Sequence, residues 1–323
     1  MQLPSLVSFV MILNKEILLF VFAGSFLLLF FSCSDSQKRS NSSNLTGTSI
    51  RGEVVSLDIN NSIAEIELLA RSNEIAEKLS GGIGSMIKFQ VQPGDLSLLR
   101  NKAVFRGQLQ ESFSPMIGKT FLLYNVWPDD PAERIRVNNI NRLLRRDTLS
   151  MGESMIRTVG DTLPPFAFYD QDGEVVTTDY FDGSVTIMNF IFSRCSVADM
   201  CPASTMKMKS LQELAKKTKI PHIRFLSITL DPNFDSPGVL KSYSMGYGLN
   251  NDNFKFCTAK KSVIDDITRQ FGIFRKTEEN QPLDHTMRTM IVNSRRQIVY
   301  QVPGRNWRVD DFLSRLQSGL PSN

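Results

Sequence analysis

The stretch Ser184–Met208, SVTIMNFIFSRCSVADMCPASTMKM, constrains this chain more than any other. Val185 to Phe192 is a short apolar run rich in β-branched and aromatic residues, which predicts a buried strand rather than a helix. Cys195 follows the run, and Cys201, with Pro202 directly behind it, closes a loop of five intervening residues. Proline suits the first turn of a helix, where its missing N–H leaves no bond unmade. Good helix formers continue to about Lys217, with Met206, Leu211 and Leu214 expected on the inner side. Two thiols therefore sit on a turn between a central strand and a helix N-terminus. Backbone amides and the helix dipole favour an anion there, so Cys201 at least is expected to have a lowered pKa. Buried thiols that merely pack rarely cluster on such a turn.

The N-terminal sequence sets the compartment. Lys15-Glu16 precede the apolar run Ile17–Phe31, which ends in Ser32-Cys33. That run is short for a membrane span and fits the core of a signal peptide. The small residue before Cys33 resembles a bacterial lipobox, in which the cysteine becomes the acylated first residue; an uncleaved anchor is the rival reading. Either way the rest of the chain is expected to be exported, membrane-anchored and facing the periplasm. With Cys33 set aside for lipid, Cys195, Cys201 and Cys257 remain of the four cysteines. An oxidising compartment permits a redox disulfide between Cys195 and Cys201. Cys257, ending the run FKFC, is expected to be a small buried hydrophobe. A net charge of +4 over 323 residues, with no basic stripe and no nucleic-acid motif, argues against a nucleic-acid partner.

The length suggests two folded domains. Residues 34–48 are polar and Ser/Asn-rich, a flexible tether. Residues 49–127 carry five strand-like runs, Ile50–Leu57, Ile63–Leu69, Ile87–Val91, Ala103–Leu109 and Phe121–Val126, which predict a small β-barrel of OB-like type. Residues 128–155 read as a charged connector in which Ala132–Arg146 forms a surface helix with solvated arginines. Residues 156–323 alternate strand and helix. A hairpin turns at Asp170–Gly173 before the central strand and helix, and strands at Ile223–Leu230 and Phe254–Cys257 follow. Helices are expected near Gly238–Met245 and from Ser262, then strands Thr289–Val292 and Gln297–Val302 and a last helix Val309–Leu316. This α/β order implies a mixed sheet covered by helices on both faces, as in a thioredoxin-like domain.

Three residues outside the cysteine turn belong to the same region. Asp231 lies at the carboxyl end of Ile223–Leu230, the edge where α/β sites form. Of the two histidines, His222 starts that strand at the far end and is expected to be structural or exposed. His285 precedes Thr289–Val292, in a segment expected to face the cysteine turn.

At this point the domain resembles the Sco/SenC family of copper-delivery proteins, through three motifs in order: FIFSRCSVADMCP (Phe190–Pro202), LSITLDPNFDSP (Leu226–Pro237) and LDHTMRTMIVN (Leu283–Asn293). The resemblance covers about half the chain. It implies one copper ion held by Cys195, Cys201 and His285, with Asp231 and Asp235 supporting the site. It also implies a role in assembling the copper site of cytochrome c oxidase, so the partner is the copper-receiving subunit of a terminal oxidase or another exported copper protein. Two thiolates and an imidazole suit soft, low-coordinate Cu(I), whereas zinc asks for a fourth ligand. Met200 adds a soft atom in the loop but is expected to fill it against the core. The family usually has three residues between its cysteines; here there are five, Ser196 to Met200. The segment Met86–Leu99 resembles a small periplasmic copper-binding domain, yet it keeps only Met86 and has neither His nor Trp, so the barrel is expected to hold no strong copper site. The competing reading is a thiol–disulfide oxidoreductase acting on an exported partner. The two-residue cysteine spacing of strong exchangers is missing, and no proline lies between Asp284 and Ile291.

Overall fold

Alternating apolar side chains roll the first part of the chain into a closed barrel. The computed structural model describes residues 45–276 and 284–318; Cys33, the apolar run before it and most of the expected tether lie outside the described residues. The barrel strands are β1 (Ser49–Asp58), β2 (Ile63–Arg71), β3 (Met86–Val91), β4 (Val104–Ser114) and β5 (Gly118–Pro128). They close in the order β1-β2-β3-β5-β4, with β3 and β5 parallel and the other pairs antiparallel. Ile50, Ile66, Leu68, Phe89, Phe105 and Leu123 meet inside.

A helix, α1 (Pro131–Ser150), follows at once. Asp130 caps it by accepting the Glu133 N–H at 2.8 Å, and Pro131 occupies its first turn. The expected solvated face is there, with Arg136, Arg142, Arg145 and Arg146 exposed, but the opposite face is packed. Val137, Leu144 and Thr148 are buried, Asn141 exchanges two hydrogen bonds with the Ala167 backbone, and Arg145 reaches Asp266 at 2.6 Å.

The second part is a seven-stranded mixed sheet, β14-β13-β8-β9-β10-β6-β7. Its members are β6 (Ala167–Asp170), β7 (Val175–Thr177), β8 (Val185–Ile191), β9 (Ile223–Thr229), β10 (Phe254–Thr258), β13 (Arg288–Val292) and β14 (Ile298–Pro303). A separate short pair, β11 (Arg275–Lys276) and β12 (Asp284–His285), brings His285 opposite Arg275. The central trio β8, β9 and β10 is parallel. After its first residue β8 is buried throughout, so both its faces are covered. The covering helices are α2 (Cys201–Lys217), α3 (Pro237–Tyr247), α4 (Lys261–Gln270) and α5 (Val309–Gln317), together with α1. On α2 the inner residues include Cys201, Met208, Leu211 and Ala215, while Met206 is 48% exposed, opposite to the sequence expectation. Cys257 is buried, as expected, and His222 is exposed. Among the described residues no helix is long and apolar enough to cross a membrane.

The barrel is seated on α3 at backbone distance. A Cβ on Gly94 would stand 2.1 Å from the Gly238 carbonyl oxygen, and one on Gly238 would stand 2.0 Å from Asp95 Oδ1. Only hydrogen at both positions allows this approach. Around it, buried Asp129 collects Arg51, Arg106 and Arg134 at 2.7, 3.0 and 2.9 Å, joining β1, β4 and α1.

Candidate metal centre

β8 delivers the chain to the site because its apolar run ends at Ile191, and the next three residues are pinned individually. Phe192 is buried. Ser193 donates its N–H to Asp235 Oδ2 at 3.1 Å, and its hydroxyl bonds the other carboxylate oxygen of Asp235. Arg194 donates to Asp231 Oδ2 at 2.6 Å and lies 4.6 Å over the Phe234 ring. Asp235, itself wholly buried, also takes the hydroxyl of Thr229 at the end of β9. A carboxylate with three protein donors is a strong clamp in a site of low dielectric. Burial pushes the Asp235 carboxyl up, against these bonds, which hold it down. The two aspartates thus spend their oxygens on the loop that carries the cysteines.

Cys195 is half-buried and Cys201 fully buried at the first position of α2. Cys201 Sγ lies 3.4 Å from His285 Nε2. The other ring nitrogen, Nδ1, lies 3.0 Å from the Thr286 carbonyl oxygen. A carbonyl can only accept, so Nδ1 carries the hydrogen and Nε2 turns its lone pair toward the thiols. Phe192 meets the imidazole edge to face at 5.2 Å, and His285 is 6% exposed. The three donor atoms of Cys195, Cys201 and His285 all lie within 4.8 Å of one another, an arrangement that can hold a metal ion. Both thiols are free of any disulfide.

The expected thiolate at Cys201 is a correction. Burial pushes this thiol well above the usual range, with the neighbouring Cys195 and Asp235 adding to the rise; the Phe192 backbone is the one opposing contact. Desolvation outweighs the helix dipole once the sulfur is inside. Burial likewise pushes Cys257 up, and that thiol belongs to β10, outside the donor group.

Sequence reasoning missed the polar chain behind Cys201. Ser227 donates to Asn189 Oδ1, Asn189 donates to Ser204, and the indole N–H of Trp307 also reaches Ser204, at 2.6, 3.1 and 3.3 Å. All of these side chains are buried. They tie β9, β8, α2 and the start of α5 together one turn beyond Cys201. For Asn189, Ser204 and Ser227 the signal was a polar residue where periodicity asked for an apolar one. Outside the thiols, a cleft of about 440 Å³ opens over His285, lined by Met200, Phe274, Met287, Arg288, Pro303 and Arg305. Met200 therefore faces a cleft instead of filling the loop. A second cleft of about 500 Å³ beside His222 contains no thiol.

The family model described as SCO1/SenC matches residues 155–319. The SCO1 protein homolog of Bacillus subtilis (strain 168) is 31% identical over 158 residues, 48% of this chain and 80% of the homolog. Among solved structures, BsSco, a member of the Sco family of cytochrome c oxidase assembly proteins, gives a TM-score of 0.44 at 28% identity, over 50% of this chain and 96% of that one. Yeast Sco1 with copper bound gives 0.42 at 23% identity, over 51% and 92%. The barrel lies outside the matched span.

Proposed function

Starting from a chain that belongs to the SCO1/SenC family, we propose that it is a membrane-tethered copper carrier that takes one copper ion as cargo and serves assembly of the copper site of cytochrome c oxidase. The observation that carries this reading is the convergence of two thiol sulfurs and one imidazole nitrogen within 4.8 Å. Three soft or borderline donors fit Cu(I), which accepts low coordination. In this reading Cys195, Cys201 and His285 are the ligands, and Asp231 and Asp235 position the loop. The bond from His285 Nδ1–H to the Thr286 carbonyl plays the outer-shell part, fixing the tautomer that leaves Nε2 for the metal. Uptake must strip the Cys201 proton, since burial keeps that sulfur protonated. The half-exposed Cys195 and the cleft over His285 give the ion a path in and a partner protein a place to take it. Cys33, or the apolar run before it, would hold the chain to the periplasmic face of a membrane. The strand order β1-β2-β3-β5-β4 supports reading the barrel as OB-like.

Thiol exchange fits less well. It asks for a thiolate at the helix N-terminus, where the buried Cys201 is held neutral. The accessible Cys195 stands six positions before Cys201, outside the helix. The test separates the two. His285→Ala should fold, keep a cysteine pair that oxidises and reduces, and lose most copper affinity; Cys195→Ser or Cys201→Ser should lose both properties. Unchanged copper affinity in His285→Ala would sink the carrier reading.

A further inference from the structure

One end of the barrel gathers features that the copper site does not use. Parallel pairing sets Gln90 opposite Leu122, which puts the starts of β3 and β5, Met86 and Gly118, at the same level. Thr120 confirms the proximity by donating to the Lys88 carbonyl at 3.2 Å. The β4–β5 turn, Ser114 to Gly118, is therefore at this end. So is the loop before β3, because Leu68 near the end of β2 exchanges backbone bonds with Gly84 and Ser85 at 2.8 and 3.0 Å. Ile50 lies opposite Arg71, so the chain enters β1 here as well.

Four large apolar side chains stand out from this end into solvent: Phe113, Ile83, Met116 and Met86, exposed by 73, 68, 66 and 55%. A single exposed hydrophobe needs no explanation, but four at one end of the barrel do: Ile83 and Met116 in loops, Met86 at the start of β3 and Phe113 near the end of β4. Beside them a cleft of about 480 Å³ is lined by Lys78, Lys88 and Lys119 with one acid, Glu111, which pairs loosely with Lys78 at 3.8 Å. Apolar tips beside a cleft whose lining holds more lysines than acids match a bilayer surface that carries acidic headgroups.

We infer that this end of the barrel rests on an anionic lipid surface, with Phe113 and Met116 entering it and the lysines meeting headgroups. The inference rests on the reading that Cys33 or the run before it holds the chain to a membrane. Residues 34–48 between Cys33 and β1 span at most about 50 Å when extended, so the barrel stays within reach of the bilayer. Tethering at that range makes even a weak contact effective. A second copy of the chain is the rival occupant, and nothing in its charge pattern would select a surface with the same surplus of lysines.

The test uses the full chain reconstituted in vesicles of phosphatidylcholine alone or mixed with phosphatidylglycerol, compared with the same chain in detergent. Hydrogen exchange is read peptide by peptide. Amides of residues 81–85 and 114–118 should exchange more slowly on the mixed vesicles than in detergent, and less so on phosphatidylcholine. The Phe113→Ser, Met116→Ser double variant alters two exposed side chains, so it should fold, still sediment with the vesicles, and lose that protection. Equal exchange in vesicles and detergent, with the chain sedimenting, overturns the barrel contact while leaving the tether intact. Failure to sediment at all overturns the tether and the contact together. Protection that grows with protein concentration at fixed lipid assigns the surface to a second copy and overturns the inference.

Discussion

Asp95 offers the sharpest test of how the barrel is seated. It is 2% exposed, at the point where the barrel meets α3, and its partners are backbone amides of Val126, at 3.3 Å, and Asn125. Burial pushes its pKa from the ordinary 3.8 up to about 7. An acid whose folded pKa is raised keeps a proton that the unfolded chain gives up. The native state then binds more protons than the unfolded one between those two values, so stability falls as pH rises through that window. The gap of about three pH units, at 1.36 kcal/mol each, makes a loss of about 4 kcal/mol between about pH 4 and pH 8. Asp95→Asn cannot ionise, and its side-chain carbonyl can still accept from Val126. Its extra amide hydrogens add a cost of about 1–3 kcal/mol if left unpaired, but that cost does not change with pH. Urea unfolding of both proteins at several pH values, followed by Trp127 fluorescence at the barrel's contact with Tyr169, gives the comparison. Wild type should lose about 4 kcal/mol more than the variant across that range. Parallel loss in the two proteins would show that Asp95 is not the titrating group and that the interface admits water.

Gly238→Ala should loosen the same seat, since its Cβ would fall 2.0 Å from Asp95 Oδ1; overpacking of this kind costs about 1–3 kcal/mol, and an unchanged melting temperature would contradict the close approach. Copper affinity should rise at least about tenfold per pH unit from about pH 6 to pH 8, because the raised thiol of Cys201 must release its proton to bind; a flat profile from competition with a Cu(I) chelator would refute this. Cys33→Ala should free the chain from membranes or leave its precursor unprocessed, whereas a variant still membrane-bound and unchanged in size would make the apolar run an anchor.

The strands were legible because alternation needs only neighbours along the chain. All five barrel runs and the apolar strand before Cys195 fall where their patterns put them. The inner face of α2 was not legible. It runs through Cys201, Ser204, Thr205, Met208, Leu211, Gln212 and Ala215, a helical stripe with three polar members. Each polar member has a partner far along the sequence: Ser204 with Asn189 and Trp307, Thr205 with Tyr243, Gln212 with Asn250 and Asn253. Hydropathy counts such residues as outward and so placed Met206 inside. The arginines of α1 stay on the exposed face as expected, and Arg145 in addition finds Asp266 across 121 positions of chain. The Cys201 thiol was misjudged because a helix N-terminus is visible in sequence and its burial is not.

The long loop between the cysteines finds its explanation in how its two ends are held. At its start, Ser193 and Arg194 are fixed to Asp235 and Asp231, which belong to the segment after β9. At its finish, Cys201 is locked by its own burial and by the Ser204 chain behind it. With both ends pinned, the extra residues have nowhere to go but outward, and Ser196, Val197, Ala198 and Asp199 are all exposed. Asp199 then takes Arg305 at 2.6 Å, which braces the bulge against the rim of the cleft over His285. The five-residue spacing therefore leaves the sulfur–imidazole geometry to the clamp and changes instead the surface beside the site. Val197, 42% exposed, stands on this bulge two residues from the half-exposed Cys195.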